Sequence, residues 1–195
     1  MRAFVAVKVE ATPAIRRVLF DIEALGRMGV RPVGPGNLHI TLKFMGEVDD
    51  ARCGEMADAL RRAAGESGPF ELPLTGLGVF PNERYINVVW IGASEGEGRE
   101  ALVRLADEVS VEFERIGFPR SDFSPHLTIA RVKGPNPARQ IRRMLGEHAR
   151  TDFGTQAVSE VLLMRSTLTP AGPIYDVEAR GRLERATERA GSARG

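Results

Sequence analysis

His39-Ile40-Thr41-Leu42 and His126-Leu127-Thr128-Ile129 write one phrase twice, and between them they hold two of the chain's three histidines. In a β-strand successive side chains alternate between faces. Each phrase therefore turns its His and Thr one way and its two aliphatics the other. Histidine is the side chain whose ordinary pKa lets it give or take a proton near neutrality. Two imidazoles facing one cleft make an acid and a base, the pair needed to activate a nucleophile and protonate a leaving group. In-line displacement at phosphorus places those two groups on opposite sides of the phosphate. Each threonine hydroxyl then donates to a non-bridging phosphate oxygen, where negative charge grows in the transition state. Threonine is β-branched and stiff at its first torsion, which holds the donor in place.

The elements that position these motifs follow from periodicity and punctuation. Residues 2–9 alternate and are rich in Val, which predicts a strand. Thr12-Pro13 is an N-cap followed by a first-turn proline, and the helix it starts runs to about Leu25 and closes at Gly26. A Pro- and Gly-rich loop at 31–36 precedes the first motif strand, 37–44, which ends at Gly46. A helix over about 50–64 and an extended segment over 69–80 follow. The series then starts again. Strand 84–92, helix 97–116 closed by Gly117, loop 117–125, motif strand 126–132, helix 137–149 and strand 155–165 are expected. Phe70 and Phe153 repeat at nearly the separation of His39 and His126.

The pattern is that of an α+β fold: two pseudo-symmetric lobes from an internal β-α-β-α-β repeat, with antiparallel sheets facing a central cleft and helices outside. A single bilobal domain is expected over 1–182, with repeat halves of about 1–81 and 82–178. Residues 183–195 are charged and small with no apolar face, which predicts a disordered tail.

Composition narrows the function. With 43% hydrophobic and 27% charged residues, the 195-residue chain is globular and long enough for an ample core. A net charge of +1 directs it to neither DNA nor a membrane surface. Lys8, Lys43 and Lys133 are the only lysines, so the positive charge is nearly all arginine, which suits bidentate phosphate recognition. Cys53 is alone, which excludes an internal disulfide and a thiolate cluster. Two histidines with no carboxylate in either motif fall short of the three or four ligands of a zinc site, so no metal and no cofactor is expected. No apolar run reaches the length of a membrane span, and the N-terminus reads as a strand rather than a signal peptide. A cytoplasmic monomer is expected, without a membrane or an obligate protein partner. His148 stands at a helix end, where the C-terminal dipole accounts for it.

Residues 37–48 (NLHITLKFMGEV), 124–134 (SPHLTIARVKG) and 160–177 (EVLLMRSTLTPAGPIYDV) together resemble the two-histidine phosphoesterase superfamily. Within it, the chain is most similar to the RNA 2',3'-cyclic phosphodiesterases, also described as 2'-5' RNA ligases. The resemblance covers residues 2–178. It implies that His39 is the general acid protonating the departing ribose oxygen and His126 the general base activating water. It also implies that Thr41 and Thr128 hold the phosphate. The implied reaction opens a 2',3'-cyclic phosphate on an RNA end or small nucleotide to a 2'-phosphate without metal, with 2'-5' ligation as its reverse.

Arg131 matches an arginine that the family often places near the phosphate. Strict alternation puts it on the face opposite His126 and Thr128, able to reach the cleft only if the strand bends near Ala130. The same alternation puts Lys43 on the His39 face. Pro32 stands where the family often has an aromatic residue, and the approach to the second motif, GFPRSDFSPH, is shorter and less basic than usual. Phe80, Tyr85 and Phe123 are candidate surfaces for a base to stack on, with core packing the alternative for each. The alternative function is a module that binds such a nucleotide or RNA end without turning it over.

Overall fold

A computed structural model describes residues 1–133, 137–170 and 172–184. The elements in chain order are β1 (Arg2–Lys8), α1 (Pro13–Glu23), β2 (Val30–Pro32), β3 (His39–Glu47), α2 (Cys53–Gly65), β4 (Phe70–Asn82) and β5 (Tyr85–Ala93). They continue with α3 (Glu97–Arg115), β6 (His126–Val132), α4 (Ala138–Glu147), β7 (Asp152–Val158), β8 (Glu160–Thr169) and β9 (Gly172–Arg182). The first sheet has the order β3-β1-β8-β9 and the second the order β2-β6-β5-β4-β7. Every pairing in both is antiparallel.

The two sheets correspond strand for strand: β3 with β6, β1 with β5, β8 with β4, and β9 with β7, while β2 is extra. This is the expected pair of pseudo-symmetric antiparallel sheets, with one addition. Strand β4 leaves the first half of the chain to pair with β5, and β8 leaves the second half to pair with β1. Each half lends a strand to the other's sheet. The chain passes between the sheets four times, and at the last passage, from β7 to β8, Ser159 is the only connecting residue.

Three expectations are corrected here. Phe70 and Phe153 are not repeat mates, because β4 and β7 are hydrogen-bonded neighbours in one sheet, with Phe70 opposite Val158 and Leu74 opposite Gly154. The stretch 155–165 is not one strand but the end of β7 and the start of β8. Its alternation runs through the switch of sheets with no Gly or Pro to mark it. Strand β9 has no counterpart among the predicted elements. Leu183 is buried and donates its N–H to the Ser159 carbonyl at 2.9 Å, so the expected tail does not begin there. Residues 185–195 lie outside the described residues.

Helices form where apolar residues recur at helical spacing, and each buries that stripe against a sheet. Thr12 caps α1, its hydroxyl oxygen accepting from the Ile15 N–H at 3.2 Å and donating to the Phe153 carbonyl at 2.7 Å. The helix is thereby tied to β7 while Ile15, Val18, Leu19 and Ile22 go inward. Helix α2 buries Met56, Leu60, Ala63 and Ala64 against β8 and β9. Helix α3 buries Leu102, Leu105, Val109 and Phe113 beside α2 and β4. Buried Glu112 of α3 accepts from Arg62 of α2 at 2.6 Å and from Arg115. Each fully buried Leu or Phe contributes about 1.5–3 kcal/mol relative to exposure. Covering the outer faces this way leaves the inner faces of the sheets for the cleft.

Candidate active site

His39 and His126 open β3 and β6, and the chain holds the two rings by the same device. His39 Nδ1–H donates to the Asn37 carbonyl at 2.7 Å, and His126 Nδ1–H donates to the Ser124 carbonyl at 2.7 Å. A carbonyl only accepts, so each Nδ1 carries the hydrogen and each Nε2 is left with its lone pair. Burial is the main reason that both imidazoles titrate below the ordinary value of 6.5. The backbone carbonyl pulls each upward and the Arg131 guanidinium pushes each downward. Strands β3 and β6 touch each other, and the charge of one guanidinium reaches both rings.

Aromatic residues brace the rings. Phe4 lies 5.0 Å from His39 and Tyr175 meets it edge-on at 5.1 Å. Phe80 meets His126 edge-on at 4.9 Å, with Trp90 behind at 6.4 Å. Trp90 lies so closely over Gly78 that a Cβ there would stand 2.1 Å from the indole. Phe4, Trp90 and Tyr175 were not among the sequence candidates. Trp90 is the cross-strand partner of Thr128, a signal that exists only once the strands are paired.

Both motif strands bulge just after the threonine. Thr41 faces Ala6 while Lys43 faces Val5, leaving Leu42 as the extra residue. Thr128 faces Trp90 while Ala130 faces Val89, leaving Ile129 as the extra residue. A bulge inserts one residue against its partner strand and so reverses the phase of alternation beyond it. Ala130 is consequently buried and Arg131 turns to the face of His126 and Thr128. Lys43 is corrected in the opposite sense: only 3% exposed, it leaves the His39 face, and its Nζ donates to the Pro119 carbonyl at 2.6 Å. Phe44 takes the position on β3 that Arg131 has on β6.

A cleft of about 420 Å³ is lined by His39, Thr41, Phe44, Arg131, Lys133 and Tyr175, among others, while His126 and Thr128 are not among its lining residues. Arg2 lies over the Phe44 ring at 4.9 Å on its margin. A larger hollow of about 590 Å³ at the start of α3 is lined by Glu66, Glu71, Glu97 and Glu108, the wrong sign for a phosphate. Of the stacking candidates, Phe80 stands against His126, Tyr85 is exposed beneath Arg84, and Phe123 packs on the core. Pro32 sits on edge strand β2 opposite Ala130. His148 caps α4 and shares a 3.1 Å hydrogen bond with the Thr151 hydroxyl, away from the cleft. Among the described residues no three His, Cys, Asp or Glu side chains gather as a metal site would require, and no helix is long and apolar enough to cross a membrane.

The family model for LigT-like phosphoesterases matches residues 5–90 and 93–175. A protein of Methanothermobacter thermautotrophicus named RNA 2',3'-cyclic phosphodiesterase is 40% identical over 178 residues, covering 90% of this chain and 95% of that one. A crystal structure of a Thermus thermophilus protein matches with a TM-score of 0.75 at 32% identity, covering 94% of this chain and 98% of the other. The crystal structure of E. coli LigT complexed with 3'-AMP matches with a TM-score of 0.67 at 25% identity, covering 93% and 97%. Similarity of this extent, over a fold in which two equivalent strands each open with a histidine, leads to one conclusion: the chain belongs to the LigT-like phosphoesterases of the two-histidine superfamily.

Proposed function

We propose that the protein hydrolyses 2',3'-cyclic phosphates, on RNA ends or small nucleotides, to 2'-phosphates, with His39 as the acid and His126 as the base. The observation that carries this reading is the shared tether of the two rings. Each donates Nδ1–H to a backbone carbonyl and keeps Nε2 for proton transfer. The name of the Methanothermobacter thermautotrophicus relative and the 3'-AMP bound to E. coli LigT support the substrate class.

His126 Nε2 removes a proton from water as its oxygen attacks phosphorus. The bond from phosphorus to the ribose O3' breaks in line, and His39, protonated, delivers its Nε2 proton to that oxygen. The phosphate stays on O2', and the histidines have exchanged protonation states. Thr41 and Thr128 donate to the non-bridging oxygens, and Arg131 adds a full positive charge where negative charge builds. Proton transfer by each positioned histidine is worth on the order of a hundred- to ten-thousand-fold. In this reading the reaction takes no metal, because acid, base and charge stabilisation all come from side chains. If a 5'-hydroxyl replaces water, the same steps form a 2'-5' linkage.

The test is incubation with adenosine 2',3'-cyclic phosphate in excess EDTA, with identification of the product. Adenosine 2'-phosphate is expected, and it should disappear in His39→Ala and in His126→Ala. Wild-type turnover in either variant would overturn the assignment. Tight binding with no product at any pH would favour the binding module instead.

A further inference from the structure

We infer that the β2–β6 ribbon is a second phosphate subsite, so that the cleft is built for a nucleotide carrying phosphate on its 5' side as well as the cyclic phosphate. The inference rests on the reaction proposed above. Across the inner face of the second sheet one row of cross-strand partners runs Arg31, Arg131, Val88 and Phe80. Phe80 touches His126, so the row begins at the reacting centre and ends at Arg31 on the edge strand. Lys133 lies two residues beyond Arg131 on the same face and also lines the cleft.

Arg31, Arg131 and Lys133 are all exposed, and among the described residues none has a carboxylate oxygen within 4.0 Å. Like charges directly opposite one another on paired strands are unfavourable. A chain with a net charge of only +1 nevertheless sets Arg31 against Arg131 and adds Lys133 beside them. A bound anion removes the repulsion. Arg131 lines the cleft with His39 and serves the reacting phosphate in the proposed reaction, which leaves Arg31 and Lys133 for another.

The opposite flank of His39 has no such excess. Its cavity of about 300 Å³ includes Lys8 and Arg180, but Lys8 pairs with Glu10 at 3.7 Å and Arg180 with Glu160 at 2.5 Å. Phosphate is therefore drawn toward β2 and not toward β9.

The experiment compares kcat/KM on three probes at low salt. These are adenosine 2',3'-cyclic phosphate, its 5'-phosphorylated form, and the dinucleotide ApA ending in a 2',3'-cyclic phosphate. Wild type should favour both 5'-substituted probes over the plain one by about tenfold, the order of one charge-assisted contact. Arg31→Gln should lose that preference while turning over the plain probe as wild type does, and Arg31→Lys should keep most of it. Equal rates on all three probes, or a preference that survives Arg31→Gln, overturns the subsite. A preference confined to the dinucleotide also overturns it, by assigning the gain to the second base. No turnover of any probe by wild type overturns the proposed reaction and the subsite with it.

Discussion

The motif strands β3 and β6 are alike up to their bulges and diverge at the first residue that returns to the cleft. Both hold a histidine by a carbonyl two residues back, both place a threonine beside it, and both insert one residue after that threonine. Then β3 presents Phe44 and β6 presents Arg131. Equivalent backbones thus deliver an apolar wall on one side and a cation on the other. In the proposed reaction the repeat supplies the paired acid and base, while the departure from it supplies direction. A fully symmetric cleft would have no reason to seat a cyclic phosphate one way round.

Replacing either histidine tests the shared part. His39→Ala and His126→Ala should each cut kcat/KM by about a hundred- to ten-thousand-fold with an unchanged circular dichroism spectrum. Each should also lose a different limb of the pH–rate profile, and loss of the same limb in both would dissolve the acid and base assignment.

The divergent part is tested by Arg131→Phe, which makes the second strand copy the first. A loss of about ten- to a hundredfold in kcat/KM is expected, from the removal of a charge-assisted contact. The milder Arg131→Gln also has a defined effect on pH dependence. Both imidazoles titrate below 6.5, so the wild-type kcat/KM bell should be centred on the acid side of that value. A nearby positive charge disfavours imidazolium, so its removal raises both pKa values and should move the bell toward higher pH. A bell that stays put or moves to lower pH would contradict the influence of the guanidinium on the rings.

A smaller effect is expected from Gly78→Ala. The added methyl would have to displace the Trp90 indole, at a cost of about 1–3 kcal/mol for overpacking, read as a lower Tm. Activity should fall as well, because Trp90 stands behind His126. An unchanged Tm would show that the indole has room the geometry denies.

Lys43→Met should have the smallest effect. It removes the donor to the Pro119 carbonyl and should cost about 1 kcal/mol in urea denaturation while leaving KM alone. A raised KM would restore the unbulged strand in which Lys43 faces the substrate.

That last pair of outcomes also marks where the sequence stops being readable. The common strand face of His39 with Thr41, and of His126 with Thr128, is legible because their spacing obeys strict alternation within four residues. The helices were legible for a similar reason, Thr12-Pro13 being a local signal that needs no partner. Strict alternation alone turns Arg131 away from the cleft and Lys43 toward it, and it fails at both residues for a single cause. A bulge is a relation between two strands, and nothing in either strand alone announces it. The same holds for the change of sheet at Ser159 and for the aromatic braces, which depend on register between distant segments.

The passage at Ser159 also bears on how substrate arrives. One residue between β7 and β8 leaves the backbone almost nothing to bend with, and three further crossings would have to yield at the same time for the sheets to part. Gln156 adds a clasp near that seam, accepting from the Glu10 N–H at 2.8 Å and donating to its carbonyl at 3.2 Å. Such a frame predicts a cleft that meets its ligand open rather than shutting on it. Its association rate is then set by collision and by the pull of the cationic edge, and should fall as salt is added, with no slow closing phase after binding.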